Sequence, residues 1–167
     1  MFIRLFPKQS DNTYQGYALA IWLFVPLVLV KLLMGLNVAG LNPWVSNRYI
    51  AQSVDLIPLD TFSAEAASTV MFMFAAWGLA LFVLSLLGVV VLIRYRAMVP
   101  LIYLLLAIEQ FGRRGILTMS PVERAVEIHG ITAALLINWG LMAALAIGFA
   151  LSLAAPIKAK SQGSGPA

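Results

Sequence analysis

The sequence predicts an all-α membrane protein, a polytopic bundle of transmembrane helices, and three observations indicate this fold class. Hydrophobic residues make up 62% of the 167 residues and charged residues 11%, whereas soluble domains have about 45–50% and about 25%. The apolar residues fall into runs near the length of about 20 residues that crosses a bilayer. Most charges lie in the short segments between these runs. A water-soluble fold of this size could not bury so much apolar surface, so the excess must face lipid.

Charge and cysteine content exclude several classes of function. Eleven Lys and Arg stand against seven Asp and Glu, a net charge of +4, but they form no basic stripe of the kind that binds nucleic acid. They suit instead the Lys and Arg excess of cytoplasmic loops beside anionic lipid. The absence of cysteine excludes disulfides, thiolate catalysis and cysteine-ligated metals. We expect no nucleic-acid partner and no metal site.

The N-terminal part predicts a polar, interfacial segment over 1–16 and a first span over 17–36. The apolar run is longer than the core of about 7–15 residues in a signal peptide, so we expect it to be retained. Pro26 can kink a transmembrane helix without destroying it. This span also carries one charge, Lys31.

A connecting segment over 37–61 leads to a second span over 69–93. Thr61 or Ser63 is expected to cap this helix, because a hydroxyl accepts well from the first free backbone N–H groups. The span contains no charged residue, and the Arg-Tyr-Arg sequence at 94–96 ends it. Such a basic stop is typical of a cytoplasmic anchor.

The segment 97–119 allows two interpretations. Its first twelve residues, up to Ile108, are apolar or uncharged, which alone is too short to cross a bilayer. Continued to residue 119 it has the length, but Glu109, Arg113 and Arg114 then lie in its second half. Long arginine side chains late in a span can extend to the interface.

The last span is predicted over 130–155, after a polar segment over 120–129, and it contains no charged residue. The small, polar tail 156–167 is expected to be disordered. Residues 17–155 then form a single transmembrane domain.

The topology follows from where the Lys and Arg residues lie. Four spans put both termini inside, with six basic residues in inside segments against four outside. If 97–119 does not cross, three spans remain and the count becomes seven against three. The positive-inside rule slightly favours three spans, but an even bundle closes well and a fully apolar last helix needs partners. We therefore predict four spans, with three as the alternative.

A helix-packing face is predicted in the last span. Gly140, Ala144, Gly148 and Ser152 are small residues spaced by four. Such residues let helix backbones approach closely, which is how helices associate in lipid. Another span or another protein could be the partner.

A polar cluster is predicted in the outer third of the membrane. Lys31 lies about 21 Å along the first span and Glu109 about 18 Å along the third, so the two charges reach a similar depth. Arg113 follows Glu109 by one turn, in the order that favours an ion pair. Asn138 enters from the outer end of the last span, and His129 lies just above it. These five residues are the candidate intramembrane polar cluster.

Three interpretations of this cluster remain open. A charge inside the membrane costs roughly 2.5–3.5 kcal/mol on insertion scales, so it must be paired, extended to the interface or functional. Lys31 and Glu109 could form a structural ion pair. Lys31 could instead reach the outer headgroups, with Glu109 at the interface. The cluster could also be a proton relay or a grip on a polar headgroup.

His129 is the sole histidine, so it could ligate one porphyrin or chlorophyll, because a neutral imidazole binds metals. A haem held by two histidines of this chain is excluded. A lone interfacial histidine also suits plain polar surface, and no cofactor is predicted. The sequence contains no nucleophile–base arrangement, no Gly-rich phosphate loop and no HExxH motif.

Three stretches resemble uncharacterised small four-helix bacterial inner-membrane proteins. They are MFIRLFP at 1–7, IPLDTF at 57–62 and RYRAMVPL at 94–101. The resemblance covers the first hundred or so residues and implies a multi-pass protein of the bacterial cytoplasmic membrane, with no activity implied. Small multidrug-resistance transporters do not fit, because their functional glutamate lies in the first span, where this chain has Lys31.

These observations favour a non-catalytic accessory or assembly partner of other membrane proteins, since a small-residue face is present and a catalytic set is not. The alternative is a small transporter, or a carrier of a lipid, quinone or proton, that uses Lys31 and Glu109. A membrane enzyme built on Asp55, Asp60 and Glu65 has less support, because two of these carboxylates suit a helix start. The expected partners are the lipid bilayer and other membrane proteins or second copies of the chain.

Overall fold

The computed structural model describes residues 5–7, 11–120 and 133–154, and this part of the chain is all-helical, without a strand. The predicted all-α class is therefore confirmed. The helices whose bounds lie within these residues are α1 (Ala18–Val38), α2 (Asn47–Ser53), α3 (Ala64–Arg94), α4 (Val99–Met119) and α5 (Ala133–Leu153). Short 3-10 turns occupy Leu59–Thr61 and Arg96–Met98.

Three helices are long and apolar enough to cross a membrane, as expected of a membrane protein. They are α1, α3 and the Leu135–Leu153 part of α5. Helix α4 has the same 21 residues as α1, but its second half carries the three charges that the sequence analysis singled out. At 1.5 Å per residue each of these 21-residue helices is about 30 Å long, the thickness of a bilayer core.

Helices α1 and α3 are antiparallel and meet backbone to backbone at two glycines. A Cβ atom at Gly35 would lie 2.5 Å from the backbone nitrogen of Phe82, and one at Gly78 would lie 2.6 Å from the carbonyl carbon of Val38. No larger side chain fits at either position unless the helices separate. The close approach supplies the van der Waals packing that holds helices together in lipid.

Tyr103 of α4 joins three helices in the main core. Its hydroxyl donates to the Ala20 carbonyl of α1 at 2.7 Å, and its ring packs on Phe24 with centroids 4.8 Å apart. The same ring lies against Gly148 of α5, where an added Cβ would overlap it. Tyr17 N–H donates to the Leu151 carbonyl at 3.2 Å, so the start of α1 meets the end of α5.

The predicted small-residue face of α5 is used at one end only. Gly148 and Ser152 are buried and Ala144 is half-buried, whereas Gly140 is exposed and no described atom lies within 4 Å of a Cβ built there. The reason is the helical period of 3.6 residues: steps of four drift by about 40° each, so Gly140 points about 120° away from Ser152. From residue 135 onward, the buried positions of α5 are Leu141, Leu145, Gly148 and Ser152.

Residues 39–63 form a cap over one end of the bundle. A second core holds it there, made of Val38, Ala51, Leu59, Ala67 and Phe74. Helix α3 starts five residues before the predicted span. Its 31 residues extend about 46 Å, well beyond the thickness of a bilayer core. The predicted capping role belongs to Ser63, whose hydroxyl accepts from Ala66 N–H at 3.2 Å, while Thr61 donates to the Pro58 carbonyl.

The opposite end of the bundle holds the start of α1, the α3–α4 turn and the end of α5. Ala97 N–H in the turn donates to the Asp11 carbonyl at 3.3 Å. The Asp11 carboxylate in turn accepts from the side chain and backbone N–H of Thr13, and these hydrogen bonds hold its pKa below the ordinary value. The segment before α1 and the α3–α4 turn therefore stabilise each other.

Candidate functional site

Lys31 is a fully buried lysine in the middle of the bundle. Its side chain is 0% exposed, and its Nζ lies 2.6 Å from Glu109 Oε2 of α4. The same ammonium donates to the side-chain carbonyl of Gln110. A buried charge is tolerated when it is paired and hydrogen-bonded, and α4 supplies both partners.

The Glu109 carboxylate is the centre of the arrangement, contacted from three sides. Besides Lys31, it accepts from the Trp77 indole N–H of α3 at 3.3 Å, and Arg113 Nε lies 3.4 Å from Oε1. The side chain remains 17% exposed. Glu109 therefore faces Lys31 on one side and an opening between α3 and α4 on the other.

Arg113 lies between α3 and α5. Its Nη2 donates to Gln110 Oε1 at 3.2 Å and reaches Asn138 Oδ1 of α5 at 3.4 Å. Its guanidinium stands over the Trp77 ring, 5.0 Å from the centroid, which is within the range of a cation–π contact. The Nε atom is buried and faces the Glu109 carboxylate, while the side chain as a whole remains 25% exposed.

Gln110 completes a connection across all four long helices. It is 2% exposed, accepts from Lys31 and Arg113, and donates to Asn138 Oδ1 at 3.1 Å. We call the connected set the polar network. Its members are Lys31, Trp77, Glu109, Gln110, Arg113 and Asn138.

The structure brings four of the five predicted cluster residues together: Lys31, Glu109, Arg113 and Asn138. His129 lies outside the described residues. Whether this cluster is functional stays a prediction. The sequence analysis missed Gln110, although its position three residues before Arg113 was a usable signal.

Trp77 was also missed as a member of the network. Its depth relative to Glu109 depends on how far α3 extends beyond the bilayer. Because packing against the cap sets that extension, and hydropathy does not, no sequence pattern predicts the depth of Trp77.

An apolar groove of about 500 Å³ lies between α3 and α4, beside the polar network. Ile108 and Ile116 on its rim are 59% and 66% exposed, so the groove opens on the outer surface of the bundle. Gly112 leaves room in the wall, since no described atom lies within 4 Å of a Cβ built there. The groove is lined by Asp55, Ile57, Phe74, Trp77, Ile108, Glu109, Gly112, Arg113, Ile116 and Leu117.

A smaller polar cavity of about 50 Å³ lies between α4 and α5. Arg114 on its wall stands over the Trp139 ring, 5.9 Å from the centroid. The cavity shares Asp55, Arg113 and Leu117 with the groove, so the two spaces adjoin across these residues. Its other lining residues include Gln110, Asn138 and Met142.

The loop that brings Asp55 to both cavities has one strained residue. Leu56 adopts φ of 57°, a left-handed conformation that is uncommon outside glycine. It lets Ile57 N–H return to the Ala51 carbonyl at 2.9 Å, which turns the chain back over the cavities. Strain of this kind, of order 1–3 kcal/mol, persists when the surroundings over-determine it.

The three carboxylates considered for an enzyme have separate structural surroundings. Asp60 lies 3.6 Å from Arg48 at the surface, Glu65 is in the first turn of α3, and Asp55 lines the cavities. Within residues 5–7, 11–120 and 133–154, no three His, Cys, Asp or Glu side chains form a group that could hold a metal.

Comparison with protein-family models, curated proteins and solved structures finds no match for this chain. What the arrangement can do is therefore argued from its chemistry. It offers hydrogen-bond donors and positive charge at the base of an apolar, laterally open groove.

Proposed function

We propose that this protein binds a small amphiphilic molecule of the membrane, such as a lipid or a quinone, and works as its carrier without acting on it chemically. One observation carries the proposal: an apolar groove of about 500 Å³ has Glu109 and Arg113 at its polar base. Ligand sites typically measure about 300–1,000 Å³ and combine apolar walls with a few placed polar groups.

The contacts around Glu109 support binding over plain structural pairing. A structural ion pair alone needs Lys31 and Glu109, which are 2.6 Å apart. Glu109 is nevertheless also held by Trp77 and Arg113, on the side that faces the groove. These side chains are fixed by packing and by one another, so the polar base is organised before a ligand arrives, which lowers the entropic cost of binding.

We further propose that the chain crosses the bacterial cytoplasmic membrane four times, with both termini on the cytoplasmic side. Support comes from α4, which has 21 residues and runs antiparallel to α5. Tyr103 of α4 meets Gly148 of α5, and Gln110 meets Asn138. Because Glu109 and Gln110 are bound inside the bundle, α4 presents fewer polar groups to lipid than its composition suggests.

A groove-filling variant tests the carrier proposal. The protein is purified in mild detergent, and retained small molecules are extracted and identified by mass spectrometry. We expect about one amphiphile per chain, and we expect Gly112→Phe to lose it, because the new ring occupies the groove.

Gly115→Phe is the matched control. Gly115 lies on the same helix, also has no described atom within 4 Å of a built Cβ, and does not line the groove. Its variant should retain the amphiphile. Wild-type protein that carries none, or equal retention in both variants, would rule the carrier proposal out.

A second candidate function is an accessory or assembly partner of other membrane proteins, and Gly140 favours it. This glycine is exposed on α5, with no described atom within 4 Å of a built Cβ, so another helix could approach closely there. Copurification from native membranes tests it. A stoichiometric companion that Gly140→Leu removes would support this role, whereas a monodisperse protein without a companion would contradict it.

A further inference from the structure

We infer that the cap side of the bundle is an interaction surface for one leaflet of the bilayer. Trp44 of the cap would lie at the headgroup boundary of that leaflet, and the groove would open into its acyl layer, so that the amphiphile enters sideways from this leaflet alone. This entry route rests on the proposed function and adds the source of the ligand. The leaflet is the same for three spans or four, because the cap joins α1 and α3, both long and apolar enough to cross.

The length of α3 places the groove near one boundary of the bilayer core. Arg94 ends this helix, and a charged side chain at a helix end lies at the interface. About 20 residues, or about 30 Å, counted back from Arg94 lead to Phe74. Phe74 and Trp77 line the groove from α3, and Asp55 and Ile57 line it from the cap. The groove therefore lies just inside the core boundary on the cap side.

The exposed surface of α3 marks the same boundary independently. Glu65, Ser68 and Thr69 are exposed in its first two turns, whereas Phe72 and Met73 are the exposed residues of the next turn. A change from polar to large apolar side chains is expected where a helix leaves the headgroup layer for the hydrocarbon. Length and surface chemistry thus agree to within one helical turn.

The groove opens sideways at this depth and is filled by side chains farther down. Ile108 and Ile116 line it from α4 and are exposed, and no described atom lies within 4 Å of a Cβ built at Gly112 between them. Toward the other leaflet, a Cβ built at Gly88 of α3 would lie 3.4 Å from the Ile102 side chain of α4. The two helices are therefore packed together there, and the open part of the groove faces the cap-side leaflet.

Trp44 is held at this boundary by hydrogen bonds to the end of α1. Its N–H donates to Asn42 Oδ1 at 2.9 Å, and Asn42 Nδ2 donates to Asn37 Oδ1 at 2.6 Å. The next residue, Val38, packs on Gly78 of α3, about 6 Å along that helix from the core boundary. The Trp44 side chain is nevertheless 87% exposed. An indole suits the headgroup boundary, because its ring is apolar and its N–H can hydrogen-bond there.

Fluorescence quenching by brominated lipids tests the depth of Trp44. The full chain with Trp22→Phe, Trp77→Phe and Trp139→Phe keeps Trp44 as its sole tryptophan and is reconstituted into phosphatidylcholine vesicles. Bromines near the headgroup should quench Trp44 more strongly than bromines near the chain ends, and aqueous iodide should quench it weakly. Strong quenching by iodide with none by either brominated lipid would place the cap in water and overturn the inference.

Val83→Trp, in a chain whose four native tryptophans are replaced by phenylalanine, is the matched control. Val83 is an exposed residue of α3, about 16 Å along the helix from Arg94 and so near the middle of the core. It should show the opposite order, with stronger quenching by the deep bromines. A Trp44 profile equal to that of Val83→Trp would also overturn the assignment of the cap to the headgroup boundary.

A sided experiment tests the leaflet of entry. The chain with Trp22→Phe, Trp44→Phe and Trp139→Phe keeps Trp77 in the groove, and Ser46→Cys marks the cap. At no more than one chain per vesicle, an impermeant biotin maleimide captures the vesicles whose cap faces outward. Brominated phosphatidylcholine is then exchanged into the outer leaflet alone. Trp77 should be quenched in captured vesicles, and far less in the uncaptured ones.

The groove variants show whether this quenching occurs inside the groove. Gly112→Phe should lose most of the quenching in captured vesicles, because the new ring fills the groove, whereas Gly115→Phe should keep it. Monodisperse elution and helical circular dichroism show that each variant is folded. If the chain with Trp44 alone does not fold, the sided experiment, which keeps Trp77, decides.

The outcomes separate the two proposals. Equal quenching in captured and uncaptured vesicles, or stronger quenching in the uncaptured ones, overturns the assignment of the leaflet and leaves the carrier proposal standing. Quenching unchanged in Gly112→Phe, or absent in both populations, overturns sideways entry of an acyl chain into the groove. The carrier proposal itself falls only when the purified wild-type protein also retains no amphiphile.

Discussion

The two charges of the central ion pair are buried to different extents, and this difference has energetic consequences. Lys31 is 0% exposed, whereas Glu109 is 17% exposed and also contacts Arg113. Removing Glu109 leaves a lysine that cannot reach water. Removing Lys31 leaves a carboxylate that still has an arginine partner. The two single substitutions should therefore differ although they break the same pair.

Glu109→Gln should destabilise the protein by about 3–5 kcal/mol, the usual effect of leaving a buried charge unpaired. Lys31→Met should destabilise it less, and the double variant should recover most of the loss caused by Glu109→Gln. Thermal unfolding in detergent measures all three. Asp60→Asn, at the exposed Arg48 pair, is the control and should leave the melting temperature unchanged. Additive effects of the two substitutions would show that the pair is not coupled.

The double variant, Lys31→Met with Glu109→Gln, also addresses the role of the polar network. If Glu109→Gln is rescued in stability by Lys31→Met but the double variant retains no amphiphile, the carboxylate serves ligand binding as well as structure. Full retention in the rescued variant would restrict Glu109 to a structural role.

The residues of the network differ in how far sequence could predict them. Lys31 and Glu109 were predicted from depth alone, because a charge in an apolar run has few alternatives to pairing. Asn138 was predicted from its position at the outer end of the last span, whereas Gln110 is neutral and its partners depend on helix rotation. Trp77 depends on where α3 meets the bilayer, which lies beyond any local pattern.

At the scale of helices, glycines decide which surfaces pack. Gly148 and Gly140 belong to the same predicted face of α5, yet among the described residues only Gly148 lies against another helix. A regular spacing of four describes a stripe that winds around the helix. Sequence therefore predicted the face but not which part of it is used within the bundle.

Gly148→Ala should destabilise the bundle by about 1–3 kcal/mol, the range for overpacking, because its methyl group would overlap the Tyr103 ring. Gly140→Ala should change stability by no more than about 1 kcal/mol, since the position is open and alanine favours a helix. Chemical or thermal unfolding of the two variants in one detergent provides the comparison. Equal losses would mean that Gly140 is packed as tightly as Gly148.

The cap is the element that sequence described least well. Residues 37–61 were predicted only as a connecting segment, whereas residues 39–63 hold α2, a 3-10 turn and a core of their own. Short helices of this kind, here seven residues, are stabilised by tertiary packing more than by their own propensity. Their hydrophobic pattern is therefore too brief to recognise.

At the scale of the whole molecule, hydropathy predicted the membrane class, and three helices meet the length and composition of a span. Helix α4 does not, because its second half carries Glu109, Arg113 and Arg114, and hydropathy averages cannot tell an inward charge from one facing lipid. The number of spans therefore needs a direct measurement.

Cysteine labelling distinguishes four spans from three, and the chain has no cysteine of its own. Single cysteines are placed at Ser46 in the cap, at Ser120 after α4 and at Ser161 in the tail. With four spans, a membrane-impermeant maleimide added to intact cells or spheroplasts should label Ser46→Cys and Ser120→Cys, and Ser161→Cys only after permeabilisation. Labelling of Ser161→Cys from outside, with Ser120→Cys protected, would establish three spans.

The distance in sequence between Lys31 and Glu109, 78 residues, also shapes how the protein is made. At about 5–20 residues per second of synthesis, Glu109 is synthesised roughly 4–16 s after Lys31. During that time α1 carries an unneutralised ammonium, which it must keep at the interface or inside the insertion machinery. Final placement of the first helix is therefore a late event in biogenesis, completed when α4 arrives. Nascent chains halted before residue 109 should leave α1 shallow, whereas chains halted after residue 119 has left the ribosome should seat it.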